Sequence, residues 1–207
     1  MTHARETIFV VDDDPSVREA FGNLLESVGF EAQLFSSTEE FRSAELPDAP
    51  SCLLLDLQLP GANGLDFQQA LARAGISIPI IFVTAYGDVP SASRALKAGA
   101  IEFLTKPVQK HELLKAIEQA LKHDRAQRVA HAEFSALKSR FNELTSRERE
   151  VLQLVTNGLT NKEIADRLGI SEVTTKMHRG QVMRKMNAAS IADLVRMSDK
   201  LKFRAGE

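Results

Sequence analysis

Tryptophan is absent from this chain of 207 residues, and cysteine and tyrosine occur once each. A single cysteine excludes a disulfide framework within the chain and fits a reducing compartment. Cys52 sits inside an apolar run, where it reads as a small buried hydrophobe. No apolar run approaches the roughly 20 residues that a membrane-spanning helix needs. Residues Met1 to Thr7 lack the apolar stretch of a signal peptide. The expectation is a cytoplasmic protein with no membrane partner. Internal repeats and low-complexity tracts are missing too, as is any compositional mark of disorder. Between Pro107 and Gly158 there is neither glycine nor proline, so nothing there breaks a helix.

Charge is plentiful but unevenly placed. The formal net charge is −2, yet residues 1–120 carry 9 Lys and Arg against 17 Asp and Glu, a net of −8. Residues 121–207 carry 17 against 11, a net of +6. An acidic first part suits a cation, and a basic second part suits a polyanion.

The first part alternates. Apolar runs near 7–12, 30–35, 51–55, 79–83 and 100–105 read as strands, with helical segments near 15–28, 37–45, 64–75 and 89–98 and a fifth starting near 109. The runs are apolar at consecutive positions, which marks burial on both faces and a parallel sheet with helices on each side. Pro15 and Pro90 fall in first helical turns, and Gly29, Gly75 and Gly99 fall where helices end.

Polar groups follow four of these runs: Asp12 and Asp13 after the first, Asp56 after the third, Thr84 after the fourth and Lys106 after the fifth. Open α/β sheets place their ligand crevice at this end of the strands. Three converging carboxylates repel one another, and a hard divalent cation, Mg²⁺ or Mn²⁺, relieves the repulsion. Asp56 can then act as a nucleophile toward a phosphoryl group, with the cation, Lys106 and the Thr84 hydroxyl each covering one phosphoryl oxygen.

The order and spacing of V10-V-D-D-D14, D56-x-x-x-P60-x-x-x-G64, T84-A85 and K106-P107 resemble the receiver domain of two-component response regulators over residues 6–122. The resemblance implies that Asp56 is the phosphoacceptor for a sensor histidine kinase. It also implies that Asp12, Asp13, Asp56 and the backbone carbonyl of Gln58 hold the metal, that Phe103 is a switch aromatic beside Thr84, and that the Lys106–Pro107 bond is cis.

The connector keeps helical spacing at Leu113, Leu114, Ile117, Ala120 and Leu121, then on a shifted phase at Phe134, Leu137, Phe141 and Leu144. It reads as stiff and helical, as one helix or as two joined at a solvated hinge within 122–133. Four short helices are expected beyond it, near 146–157, 161–168, 172–187 and 190–201. Thr145 with Glu148 and Thr160 with Glu163 have capping-box spacing, and Ser171 and Ser190 suit N-caps. The joint G169-I-S171 gives helix-turn-helix spacing.

From L144-T-S-R-E-R-E-V-L to M186 the sequence is similar to the LuxR/NarL-type helix-turn-helix, over about 142–203. On helix 172–187 the expected core face is Val173, Met177, Val182 and Met186. The expected DNA-facing residues are Thr174, Lys176, His178, Arg179, Arg184 and Lys185. Thr175 stands where many relatives have Val.

The fold expected is a flavodoxin-like, doubly wound α/β receiver with a five-stranded parallel sheet (1–122), a helical linker (123–141) and an all-α four-helix domain (142–207). The two halves together resemble a NarL/FixJ-type response regulator of the FixJ-like branch. The function implied is phosphorylation-dependent transcription control rather than enzyme activity. Its partners are a histidine kinase, operator DNA, RNA polymerase and a second copy on phosphorylation. The alternative is a Mg²⁺-dependent phosphotransfer or phosphatase enzyme with an accessory helical domain. It lacks a separate general acid after Asp56, where Gln58 stands. A third reading makes the basic helices a docking module for an acidic protein.

Overall fold

The computed structural model describes residues 5–205, with side chains as far as residue 201. The chain divides into two compact units, one running through Arg128 and the other from Val129 on.

The first unit alternates strand and helix: β1 (Thr7–Val11), α1 (Pro15–Ser27), β2 (Glu31–Phe35), α2 (Thr38–Arg42) and β3 (Ser51–Leu55). A short ribbon, β4 (Gln58–Leu59) with β5 (Ala62–Asn63), precedes α3 (Gly64–Arg73), β6 (Ile80–Thr84), α4 (Val89–Lys97) and β7 (Glu102–Thr105). The last element, α5 (Lys110–Asn142), starts in this unit and continues into the second. The sheet order is β2-β1-β3-β6-β7, and every pairing in it is parallel. That is the doubly wound arrangement expected, with strand ends gathered at one crevice.

Strand residues alternate between two cores, as a period of two requires. Phe9, Val11, Leu53, Leu55 and Phe82 face α2, α3 and α4. Ile8, Val10, Cys52, Leu54, Ile81 and Val83 face α1 and α5. The central strands β1, β3 and β6 are buried throughout, which is why their sequences are apolar at consecutive positions. The ribbon was not expected from sequence. Pro60 and Gly61 form the tight turn between its two strands, with Gly61 at φ +75°.

The second unit holds α6 (Ser146–Thr156), α7 (Asn161–Leu168), α8 (Glu172–Met186) and α9 (Ile191–Ala205). Both capping boxes form, and Ser171 caps α8. Gly169, at φ +64°, takes the left-handed conformation that ends α7 and starts the turn. The core gathers Leu137, Leu144, Val151, Val155, Ile164, Val182, Met186 and Leu194.

One expectation fails on α8. Val173 is 80 % exposed and Met177 is 55 % exposed, so neither belongs to the core. The buried face is Thr175, Val182 and Met186, with Arg179 half-buried between them. Steps of four, three and four hold 175, 179, 182 and 186 on one side of a helix. The step of five from 177 to 182 does not. Thr175 is fully buried and donates its hydroxyl to the Ser171 carbonyl at 3.1 Å, so a polar residue is accommodated in the core.

The connector forms a single helix of 33 residues. It supplies Leu113, Ile117 and Leu121 to the first unit's core and Leu137 to the second's. Among the described residues no helix is long and apolar enough to cross a membrane.

Candidate functional site

Asp12 follows β1 and Asp56 follows β3, and the backbone N–H of Asp56 bonds the Val11 carbonyl at 2.9 Å. This sets the two carboxylates side by side. Both are buried, whereas Asp13 points outward. Ligand oxygens of Asp12, Asp13 and Asp56 lie within 4.8 Å of one another. Asp14, the third acid in the run, caps α1 through the Ser16 N–H at 2.8 Å and plays no part in the cluster.

The Lys106 ammonium bridges the buried pair, 2.6 Å from Asp12 and 2.7 Å from Asp56. It is brought there by its place just after β7, where the Lys106 N–H bonds the Thr84 carbonyl at 2.8 Å; the Lys106–Pro107 bond is cis, as expected. Burial lifts the Asp12 carboxyl above its ordinary range, against the opposing pull of Lys106. Burial alone would lower the affinity of Lys106 for its proton. The hydrogen bonds and charges of Asp12 and Asp56 outweigh that and raise it. The remaining oxygen of Asp56 accepts the Gln58 N–H at 3.0 Å.

Thr84 ends β6, is fully buried, and accepts the Tyr86 N–H at 3.2 Å. Phe103 on β7 is half-buried, with its ring 6.0 Å from that of Phe82. Two glycines make room here. A Cβ at Gly64 would lie 2.6 Å from the Asp56 carbonyl oxygen, so a side chain there would push on the Asp56 backbone. A Cβ at Gly87 would lie 2.5 Å from Thr105 and 3.1 Å from the Phe103 ring. Sequence reasoning missed Arg18, which donates to the Asp12 backbone carbonyl at 2.6 Å. Its target is main chain, so no pairing of charges in the sequence announces it.

The donor set fits a hard divalent cation, because three carboxylates in one cluster need a positive charge and offer only oxygen. Asp12, Asp13 and Asp56 would hold it, with the Gln58 carbonyl as the further ligand expected.

The six donors expected on α8 fare differently. Lys176 is exposed and has no hydrogen bond or ion pair among the described residues. His178 is half-buried. The Thr174 hydroxyl lies 2.8 Å from that of Ser171, and Arg184 bonds Gln181 on its own helix. Arg179 donates to Asn161 at the start of α7. Lys185 pairs with the buried Glu148 at 2.6 Å and also bonds the Glu143 carbonyl at 3.2 Å. Burial alone would raise the Glu148 carboxyl, but bonds from Lys185 and Thr145 outweigh it and hold Glu148 below its usual range. Arg179 and Lys185 therefore brace the domain. Val173, Met177, Gly180 and Arg184 line up as an exposed stripe, with open space around Gly180.

A sheet that gathers acids, a hydroxyl and an amine at its strand ends, joined to a helix-turn-helix unit, defines a class: the two-component response regulator with a DNA-binding output. Residues 8–118 match the response regulator receiver domain, and residues 142–198 match the luxR family of bacterial regulatory proteins. Nodulation protein W of Bradyrhizobium diazoefficiens is 49 % identical over 198 residues, covering 96 % of this chain and 87 % of that one. The transcriptional regulatory protein FixJ of Rhizobium meliloti is 39 % identical over 193 residues, covering 93 % and 94 %. Among solved structures, the response regulator StyR superposes with a TM-score of 0.84 at 48 % identity, covering 95 % of this chain and all of that one. Full-length FixJ from B. japonicum gives 0.56 at 34 % identity, covering 95 % and 97 %. The chain belongs to the NarL/FixJ family of response regulators, and its function is transcriptional regulation within a two-component system.

Proposed function

We propose that Asp56 is the phosphoacceptor. Its carboxylate oxygen attacks the phosphorus of a phosphohistidine on a sensor histidine kinase. The P–N bond breaks, its electron pair and a proton pass to the imidazole, and an acyl phosphate forms on Asp56. The observation that carries this is the buried Asp56 carboxylate at the end of β3, held 2.7 Å from the Lys106 ammonium. Lys106 can exchange this contact for one to a phosphoryl oxygen, and the Thr84 hydroxyl can turn from the Tyr86 N–H to another. Mg²⁺ (or Mn²⁺), when bound, supplies charge neutralisation at the phosphoryl oxygens. Phe103, beside Gly87 and Thr105, has the setting of a switch ring. Labelling with acetyl phosphate and Mg²⁺ tests the assignment: Asp56→Asn should take up no acid-labile phosphate, and full uptake by that variant would remove Asp56 as acceptor.

The output is double-stranded DNA read by α8. The exposed stripe supports this, since Val173 and Met177 offer apolar contacts to thymine methyls while Lys176 and Arg184 offer donors to bases or phosphates. Thr174 and His178 lie at its margin. Residues 1–122 serve as receiver, 123–141 as linker and 142–207 as DNA-binding domain. Phosphorylation favours a two-fold dimer on a near-palindromic operator, with RNA polymerase as the next partner, in the cytoplasm.

A further inference from the structure

The segment from Lys122 to Glu133 is polar, and the sequence leaves open a solvated hinge within it. Four of its side chains instead grip the first unit. Asp124 is 3 % exposed and accepts the Ser51 backbone N–H at 3.0 Å and the Arg128 Nε at 2.6 Å. Arg128 also donates to Asp48 at 2.9 Å and to the Pro47 carbonyl at 3.3 Å. Arg125 pairs with Glu6, and Gln127 accepts from the Ser77 hydroxyl at 3.0 Å.

Two features give these contacts a common meaning. Ile117, Leu121, Asp124 and Arg128 are spaced by four, three and four, so the clasp continues the buried stripe of α5 in polar form. Its targets, Glu6, Ser51 and Ser77, all lie at or before the amino ends of β1, β3 and β6, opposite the end that carries Asp12, Asp56 and Thr84. Asp124 is buried while the Arg128 side chain stays 34 % exposed, and such a pair gains little over an apolar pair of the same volume. Its distinguishing property is what happens on release: charges rehydrate, whereas an opened apolar stripe would expose a sticky surface.

We propose that Asp124 and Arg128 form a releasable clasp, a conformational device that sets how far along α5 the receiver's hold extends. Closed, it ties the helix down as far as Arg128. Open, it frees the helix beyond Leu121 without uncovering the apolar core. On the reading of Asp56 given above, phosphorylation shifts the clasp between these states, because β3 runs unbroken from Ser51 to the residue before Asp56.

Hydrogen exchange on the full chain tests this. Arg128→Ala should speed exchange of amides 123–130, and of Ser51, by about tenfold, leaving β1, β6, the rest of β3 and the helices beyond Thr145 unchanged. Asp48→Asn, at an exposed position, should do the same more weakly. Acetyl phosphate with Mg²⁺ should alter exchange at 123–130 in the wild type and not in Asp56→Asn. Unchanged exchange at 123–130 in both clasp variants, or acceleration spread equally over β1 and β3, would overturn the clasp. Unaltered exchange in a fully labelled wild type would overturn its release by phosphorylation. Absence of labelling would overturn the Asp56 assignment instead, and the clasp variants would still decide the clasp.

Discussion

The ammonium of Lys106 sits between two buried carboxylates, so replacing it leaves Asp12 and Asp56 facing each other without a counter-charge. Lys106→Met should destabilise the first unit at pH 7 by about 1–3 kcal/mol in the absence of metal. The folded pKa of Asp12 is already raised above 3.8, so Asp12 favours the fold most below that value and loses this advantage as pH rises through the folded pKa. The deficit of Lys106→Met should therefore shrink toward acid, where Asp12 is protonated. Urea denaturation at a series of pH values below 7 checks this, and a deficit that stays constant down the series would count against it. Asp13→Ala should lose Mg²⁺ affinity while its metal-free melting temperature stays level or rises, since Asp13 is exposed and adds only repulsion. A large drop would point to a structural role. The acids and Lys106 were legible in the sequence because each follows an apolar run. Arg18 was not, because its partner is a carbonyl.

At the scale of elements, α8 shows where reading by pattern stops. Its buried stripe contains Thr175 and Arg179, so polarity did not mark the inner face, and Val173 and Met177 drew the reading to the outer one. Helical phase was the signal that separates them. Lys176→Ala and Arg179→Ala should accordingly diverge. The first should weaken DNA binding with no change in melting. The second should weaken binding and also loosen α7, since Arg179 holds Asn161. Matched titrations and thermal melts decide this, and identical behaviour of the two variants would contradict it. The Glu148–Lys185 pair gives a pH test. Glu148 has a folded pKa below 4.5, so its stabilisation is present above that value and is lost as pH falls through the folded pKa. Wild-type protein should thus lose stability in the second unit below about pH 4.5, and Glu148→Gln should start lower and lose less over the same range. A parallel pH dependence in both would show that the pair contributes nothing. The capping boxes, by contrast, were readable at once, because Thr and Glu three residues apart have a local partner.

For the whole molecule, the division of charge suits two tasks in one chain: acids at the proposed phosphoryl site, bases in the unit proposed to read DNA. The order of elements apart from the β4–β5 ribbon, the sheet and the helix-turn-helix were legible, because alternation and caps are local signals. The clasp was not, because Asp124 and Arg128 show in sequence only as an i,i+4 pair, while their contacts to Ser51 and Asp48 join residues far apart in the chain. DNA affinity should fall steeply with salt, as counterion release requires. Chemistry at Asp56 should govern DNA binding by α8, and a titration decides whether it does. Fragments selected by the protein from a random DNA pool are titrated with wild-type and Asp56→Asn protein, with and without acetyl phosphate and Mg²⁺. The donor should strengthen wild-type binding by about tenfold, a typical allosteric coupling, and leave Asp56→Asn at its basal affinity. Wild-type affinity that ignores the donor while Asp56 is labelled, or an Asp56→Asn variant that still responds, would contradict the account.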